Sequence, residues 1–160
     1  MTQPETCVVS ESEERLRLLT ENLPHSYLYQ YSQEADGSTH FIYLSPSVFT
    51  VHGLTAAQIM ADASLLMQQA DPEFLTELER ARQNSLEKME DLQIEMRIRH
   101  QDGRWHWLEL RSRPRRTESG QIIWDGVATD VSEMHEKNRQ LDQQARRAEV
   151  LLGLPMLEKD

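Results

Sequence analysis

Residues 103–133, GRWHWLELRSRPRRTESGQIIWDGVATDVSE, restrict the fold of this chain more than any other stretch. Trp105 to Arg115 reads as one strand and Gln121 to Asp130 as the next. Thr117-Glu118-Ser119-Gly120 supplies turn chemistry between them. The second strand ends in Asp130-Val131-Ser132-Glu133, and a helical repeat begins there at once. A sheet joined to a helix without a linker predicts that a change in the sheet can be felt in the helix.

The upstream strand sets the register. Asp91 to Arg99 places Leu92, Ile94, Met96 and Ile98 on one face and Gln93, Glu95, Arg97 and Arg99 on the other. A two-residue turn at Asp102-Gly103 would bring Trp105, Trp107, Glu109, Arg111 and Arg113 onto the apolar face, with three charges among them. An odd-length turn, with Gly103 or Arg104 absorbing a bulge, aligns Leu108, Leu110 and Ser112 with that face instead. Burial is worth roughly 1.5–3 kcal/mol per aliphatic side chain, so the bulged turn is expected. In the last strand Asp125 marks the outward parity of Ile123, Asp125, Val127 and Thr129, leaving Trp124, Gly126 and Ala128 inward. Trp107 then points outward and needs a cover. The helix around Leu16 to Leu23 is the nearest candidate.

The rest of the chain is read in shorter pieces. Residues 1–11 read as a disordered tail. Ser10 and Glu13 fit a capping box before a flanking helix over residues 12–23. Tyr27 to Tyr31 and His40 to Leu44 are short strands around the turn Ala35-Asp36-Gly37-Ser38. Ser45-Pro46-Ser47 stops the second strand. Short helical pieces from Val48 to Met67 are punctuated by His52-Gly53 and Ala61-Asp62, with Thr55 as an N-cap. Asp71-Pro72-Glu73 starts a longer helix that buries Phe74, Leu75, Leu78, Ala81 and Leu86.

Charge and composition exclude several classes. A net charge of −10 and a pI near 5.1 leave nothing to neutralise phosphates, so nucleic acid is not a partner. The single cysteine, Cys7, forms no internal disulfide and suits a reducing compartment. No apolar run approaches the ~20 residues of a membrane span, and no signal-peptide pattern precedes the domain. A cytoplasmic protein whose segment here makes no membrane contact is expected.

The motifs FIYLSPSV (41–48), HGLTAAQIMAD (52–62), IEMRIRHQDGRWHWLELRSRP (94–114) and GVATDVSE (126–133), in this order and spacing, resemble the PAS family, in particular the sensory-box type with its PAC segment. The resemblance implies an α+β PAS fold: a five-stranded antiparallel sheet with short helices on one face, plus flanking N- and C-terminal helices. It places the sensor domain at residues 24–132 and an output linker helix at 133–160. It also implies a non-catalytic module of a bacterial signalling protein. Such a module senses a small molecule or cofactor and controls an output domain such as a diguanylate cyclase (GGDEF) or histidine kinase. The alternative is a ligand-free dimerisation or spacer module. Fold alone names no ligand.

Candidate pocket residues are Phe49, Met60, Met67, Met96, Ile98, Leu108, Leu110, Ser112, Trp124, Gly126 and Ala128. They line either a small-molecule site or simply the core, with Trp124 able to fill the space. The cofactor is unknown. Covalent-adduct flavin is excluded, because no asparagine-cysteine-arginine motif follows the short helices. Haem is disfavoured, because residues 72–88 hold no histidine. The six histidines, His25, His40, His52, His100, His106 and His135, are scattered. His100 and His106 are expected as a solvated cross-strand pair rather than metal ligands. No nucleophile elbow or phosphate loop is present, and the surroundings of His135 do not resemble a phosphoacceptor motif, so this chain is not expected to be an enzyme.

Val131, Met134, Asn138, Leu141, Ala145, Ala148 and Leu152 follow a heptad spacing. A homodimer is expected through Leu16, Leu19, Leu23 and Trp107. Asp130 and Ser132 form the expected signal junction, able to accept hydrogen bonds from the first free N–H groups of the output helix. The segment RRAEVLLGLPMLEKD resembles the lead-in to a GAF-type downstream domain and carries no evident stop.

Overall fold

The computed structural model describes residues 25–153 together with Glu11, Glu14, Arg15, Leu18, Leu19, Asn22 and Leu23. The tail up to Ser10, the Ser10–Glu13 capping box, Leu16 and residues 154–160 lie outside the described residues.

The strands are β1 (Ser26–Gln33), β2 (Thr39–Leu44), β3 (Leu92–Arg99), β4 (Trp105–Arg116) and β5 (Ile122–Asp130). The helices are α1 (Val48–His52), α2 (Ala56–Ala61), α3 (Ser64–Gln69), α4 (Leu75–Lys88) and α5 (Ser132–Leu152). The strands form one antiparallel sheet in the order β2-β1-β5-β4-β3. Helices α1 to α4 lie between β2 and β3 in sequence and cover one face.

The bulged register holds. His100 and Arg104 close a three-residue loop, and Gly103 occupies the left-handed region at φ 89°. A residue with a Cβ would be strained there. Leu110 therefore faces Ile94, and Leu108 faces Met96. The alternating burial of β3, with Leu92, Ile94, Met96 and Ile98 inside, follows from this pairing. In β5 the inward residues Trp124 and Ala128 are buried.

Local capping explains most helix starts. Thr55 and Gln58 form a reciprocal capping box on α2. Asp71 accepts from the Glu73 N–H, but the first turn it opens is a 3-10 turn (Pro72–Phe74) and the α-helix begins at Leu75. Asp71 is tethered at the same time to the edge strand. Its N–H donates to the Arg97 carbonyl (2.9 Å), and the Arg97 guanidinium donates to Oδ2 (2.7 Å). The most buried residue of α4 is Ser85, which the apolar spacing passes over. Its hydroxyl accepts from Trp124 Nε1 (2.9 Å) and donates to the Glu90 carbonyl (2.6 Å).

The cover of Trp107 differs from expectation. The imidazole of His135, in the first turns of α5, stacks on the indole at 4.4 Å with 6° between planes. Phe74 meets the indole edge-on at 5.6 Å. The output helix begins one residue after β5, so His135 reaches Trp107 before any N-terminal segment needs to. Beyond this contact α5 leaves the sheet, and within the described residues it extends to Leu152. Gly153, left-handed at φ 71°, donates its N–H to the Glu149 and Val150 carbonyls and closes it.

Candidate ligand cleft and output junction

Between the inner sheet face and helices α3 and α4 lies a partly open cleft of about 360 Å³. Alternation along β1 sends Tyr27, Tyr29 and Tyr31 to this side. Tyr31 and Phe41 meet edge-on at 4.9 Å, Tyr29 and Phe41 at 6.2 Å, and Trp124 stands 6.3 Å from Tyr31. The Tyr29 ring lies directly over Gly126, where any Cβ would overlap it.

The expected pocket residues divide between this cleft and other places. Met67, Met96, Ile98, Leu108, Leu110, Ser112 and Trp124 line the cleft. Phe49 and Met60 do not. They sit on α1 and α2 with 55% and 46% of their surface exposed. Gly126 lies beneath Tyr29, and Ala128 is wholly buried in the core. Sequence reasoning missed the three tyrosines, Phe41, His52 and Gln69. The period-2 spacing of Tyr27, Tyr29 and Tyr31 was the available signal for three of them.

The cleft floor ends in a buried polar chain. Tyr27 Oη lies 2.7 Å from His52 Nε2, and His52 Nδ1 lies 2.8 Å from Gln69 Oε1. Gln69 Nε2 donates to the His52 carbonyl at 2.9 Å. Burial pushes the His52 imidazole down to about 4, so it is neutral near pH 7. Burial likewise drives the Tyr27 phenol far above its ordinary value and the Tyr29 phenol up to about 12. The charged side chains lining the cleft are Glu79 and Arg82, and they pair with each other at 2.6 Å. Arg82 also donates to Gln33 Oε1, and its bond to Glu79 raises its pKa further.

A second constellation sits where β5 becomes α5. Asp130 Oδ1 accepts the Ser132 N–H at 2.9 Å, and Oδ2 accepts His106 Nδ1–H at 2.8 Å. Ser132 Oγ accepts the Trp107 N–H at 2.8 Å, and the Val131 N–H donates to the Trp107 carbonyl. Burial pushes the Asp130 carboxyl up, but its hydrogen bonds from Ser132 and the facing His106 outweigh that and hold it below the usual range. Thus Asp130 takes the first free N–H of the helix, while Ser132 ties the helix back to β4.

The histidine pair near the turn is not a solvated one. His100 and His106 lie 5.4 Å apart, with side chains only 16% and 26% exposed. Gly53 makes this possible, since a Cβ there would strike the His100 ring. His100 Nε2 donates to the Thr50 carbonyl at 3.3 Å, while its Nδ1 accepts the Asp102 N–H. His106 Nε2 is buried without a partner among the described residues. No group of three or more His, Cys, Asp or Glu residues that could hold a metal is present among the described residues.

Residues 41–128 match the family model for the PAS fold. The chain belongs to the PAS fold family. Solved PAS structures agree. A sensory box histidine kinase/response regulator from Burkholderia thailandensis is 15% identical, with a TM-score of 0.59, covering 84% of this chain and 97% of that one. The N-terminal domain of a diguanylate cyclase with PAS/PAC sensor from Marinobacter aquaeolei is 18% identical, with a TM-score of 0.56 over 69% and 98%. A PAS domain from Colwellia psychrerythraea is 15% identical, with a TM-score of 0.57 over 76% and 98%. At these identities the likeness speaks for the fold. No curated protein matches in sequence. No described helix of this PAS module is long and apolar enough to cross a membrane.

Proposed function

We propose that this PAS module is the sensory input of a signalling protein. A small molecule or cofactor occupies the cleft, and its presence passes along β5 to the Asp130 junction, then through α5 to a following domain. The observation that carries this reading is that one strand serves both ends. Trp124 of β5 walls the cleft, and Asp130 at the end of the same strand accepts the N–H of Ser132, the first residue of the output helix. A diguanylate cyclase or histidine kinase output is supported by the proteins in which the same fold occurs. Cys7, the single cysteine, lies ahead of the domain, so no adduct-forming flavin is proposed.

The output helix supports a homodimer. Its heptad residues Met134 and Leu141 are more than 60% exposed within one chain, as is Leu19. Pairing of two helices would cover this stripe. The same stripe favours the second reading, a ligand-free dimerising spacer, because Tyr29 and Trp124 already fill part of the inner face. Protein purified without denaturation separates the two. An absorbance spectrum together with mass spectrometry of the released small molecules should reveal a bound or saturably binding compound. A cleft that stays empty and responds to no compound leaves the spacer.

A further inference from the structure

We infer that the cleft selects a small, uncharged, flat ligand carrying a hydrogen-bond donor, a ring N–H or O–H, and that the Tyr27 hydroxyl oxygen is the acceptor that reads it. This rests on the cleft being the input site.

The direction of the buried chain decides which way Tyr27 points its proton. Gln69 donates its amide N–H to the His52 carbonyl, so its oxygen is the atom facing His52 Nδ1. An amide oxygen only accepts, so Nδ1 carries the hydrogen. The neutral imidazole then has a bare Nε2, which accepts the Tyr27 O–H. Reversing the chain would strand the Gln69 amide against the backbone in a buried place. Tyr27 therefore has no proton left for the cleft, and its oxygen offers lone pairs alone. A ligand bringing an acceptor to this point would meet lone pair against lone pair.

The other polar groups narrow the class. Glu79 and Arg82 neutralise each other, which leaves no unpaired charge for an ionic ligand. Trp124 spends its N–H on Ser85, so that ring faces the cleft as an apolar wall. The rings of Tyr29, Tyr31 and Phe41 suit a flat aromatic guest. A bicyclic heteroaromatic fits within about 360 Å³.

Titrating the isotope-labelled chain with indole and with benzofuran tests this by amide and side-chain NMR. The two probes match in shape, and benzofuran has a ring oxygen where indole has N–H. Indole is expected to shift cleft resonances and to bind roughly tenfold tighter or more, in line with the cost of an unpaired buried acceptor. Tyr27→Phe is expected to erase that preference while still admitting both probes. If the variant does not fold, the ¹⁵N shifts of His52 in the wild type decide the point, with the Nδ1–H tautomer expected. Equal binding of the two probes, or an Nε2–H tautomer, overturns the role of Tyr27 and leaves the cleft as a site. Failure of both probes to reach the cleft overturns the inference together with the reading beneath it.

Discussion

His135 lies flat on Trp107, 4.4 Å away and 6° from parallel, and its Nε2 meets Glu95 Oε1 at 2.6 Å. One side chain thus fastens the first turns of α5 to the outer face of β3 and β4. After it, the rest of the helix is largely exposed.

Replacing His135 by alanine should release that fastening without disturbing the sheet. Ring pairs of this kind are worth about 0.5–1.5 kcal/mol beyond their buried area. Chemical denaturation should show a loss of that order. Hydrogen exchange should speed up at residues 132–136 and stay unchanged in β3. Unaltered exchange in the helix start would mean that the Ser132 and Val131 bonds hold it alone.

Asp130→Ala removes the acceptor for the Ser132 N–H and leaves His106 unpaired on both nitrogens. Loss of such a cap costs ~0.5–2 kcal/mol, within the range of a typical allosteric coupling of ~1–3 kcal/mol. In the full-length protein the variant is expected to fold yet respond weakly or not at all to stimulus. Measuring output activity with and without stimulus checks this. Intact regulation in a folded variant would reduce Asp130 to a structural cap.

His52 makes stability depend on acidity in a definite direction. Its imidazole titrates near 4 in the folded chain against an ordinary 6.5. Between these values the unfolded chain binds a proton that the folded chain refuses. Stability from this group is therefore full above about pH 6.5 and is lost as pH falls toward 4. From pH 7.5 to pH 5 the expected loss is about 2 kcal/mol. Urea unfolding at both values should show it for the wild type and show a smaller loss for His52→Gln. Equal losses would put the acid sensitivity elsewhere.

The proposed homodimer is open to a charge test. Leu19→Glu, ahead of β1, and, separately, Leu141→Glu, in α5, place a carboxylate on exposed apolar positions. Each is expected to shift sedimentation toward monomer if its segment pairs across the dimer, because an unpaired buried charge is costly. A wild type already monomeric at high concentration would rule the assembly out.

What the sequence made legible was parity. The charges Glu109, Arg111 and Arg113 could not share a face with Ile94, Met96 and Ile98, so the β3–β4 register and the odd-length turn followed from burial alone. Asp125 did the same for β5. Helix faces were harder to read. The helices α1 and α2 have 5 and 6 residues, too short for a repeat to say which side is buried, and so Phe49 and Met60 were assigned to a cleft they do not line. His52 and Gln69 are 17 residues apart in sequence, and only the folded chain brings them together. Ser85 is buried because an indole N–H needs it, a demand no hydropathy pattern records.

Gly126 bears on how easily such a module could change its role. Tyr29 rests where the glycine has no side chain, and the ring stays down against the sheet. A methyl group at that position would lift the ring toward the cleft, closing from the sheet side a space the new atom never touches. Glycine and alanine codons differ by one base. A single mutational step therefore separates a domain with room for a guest from one whose interior is filled by its own tyrosine.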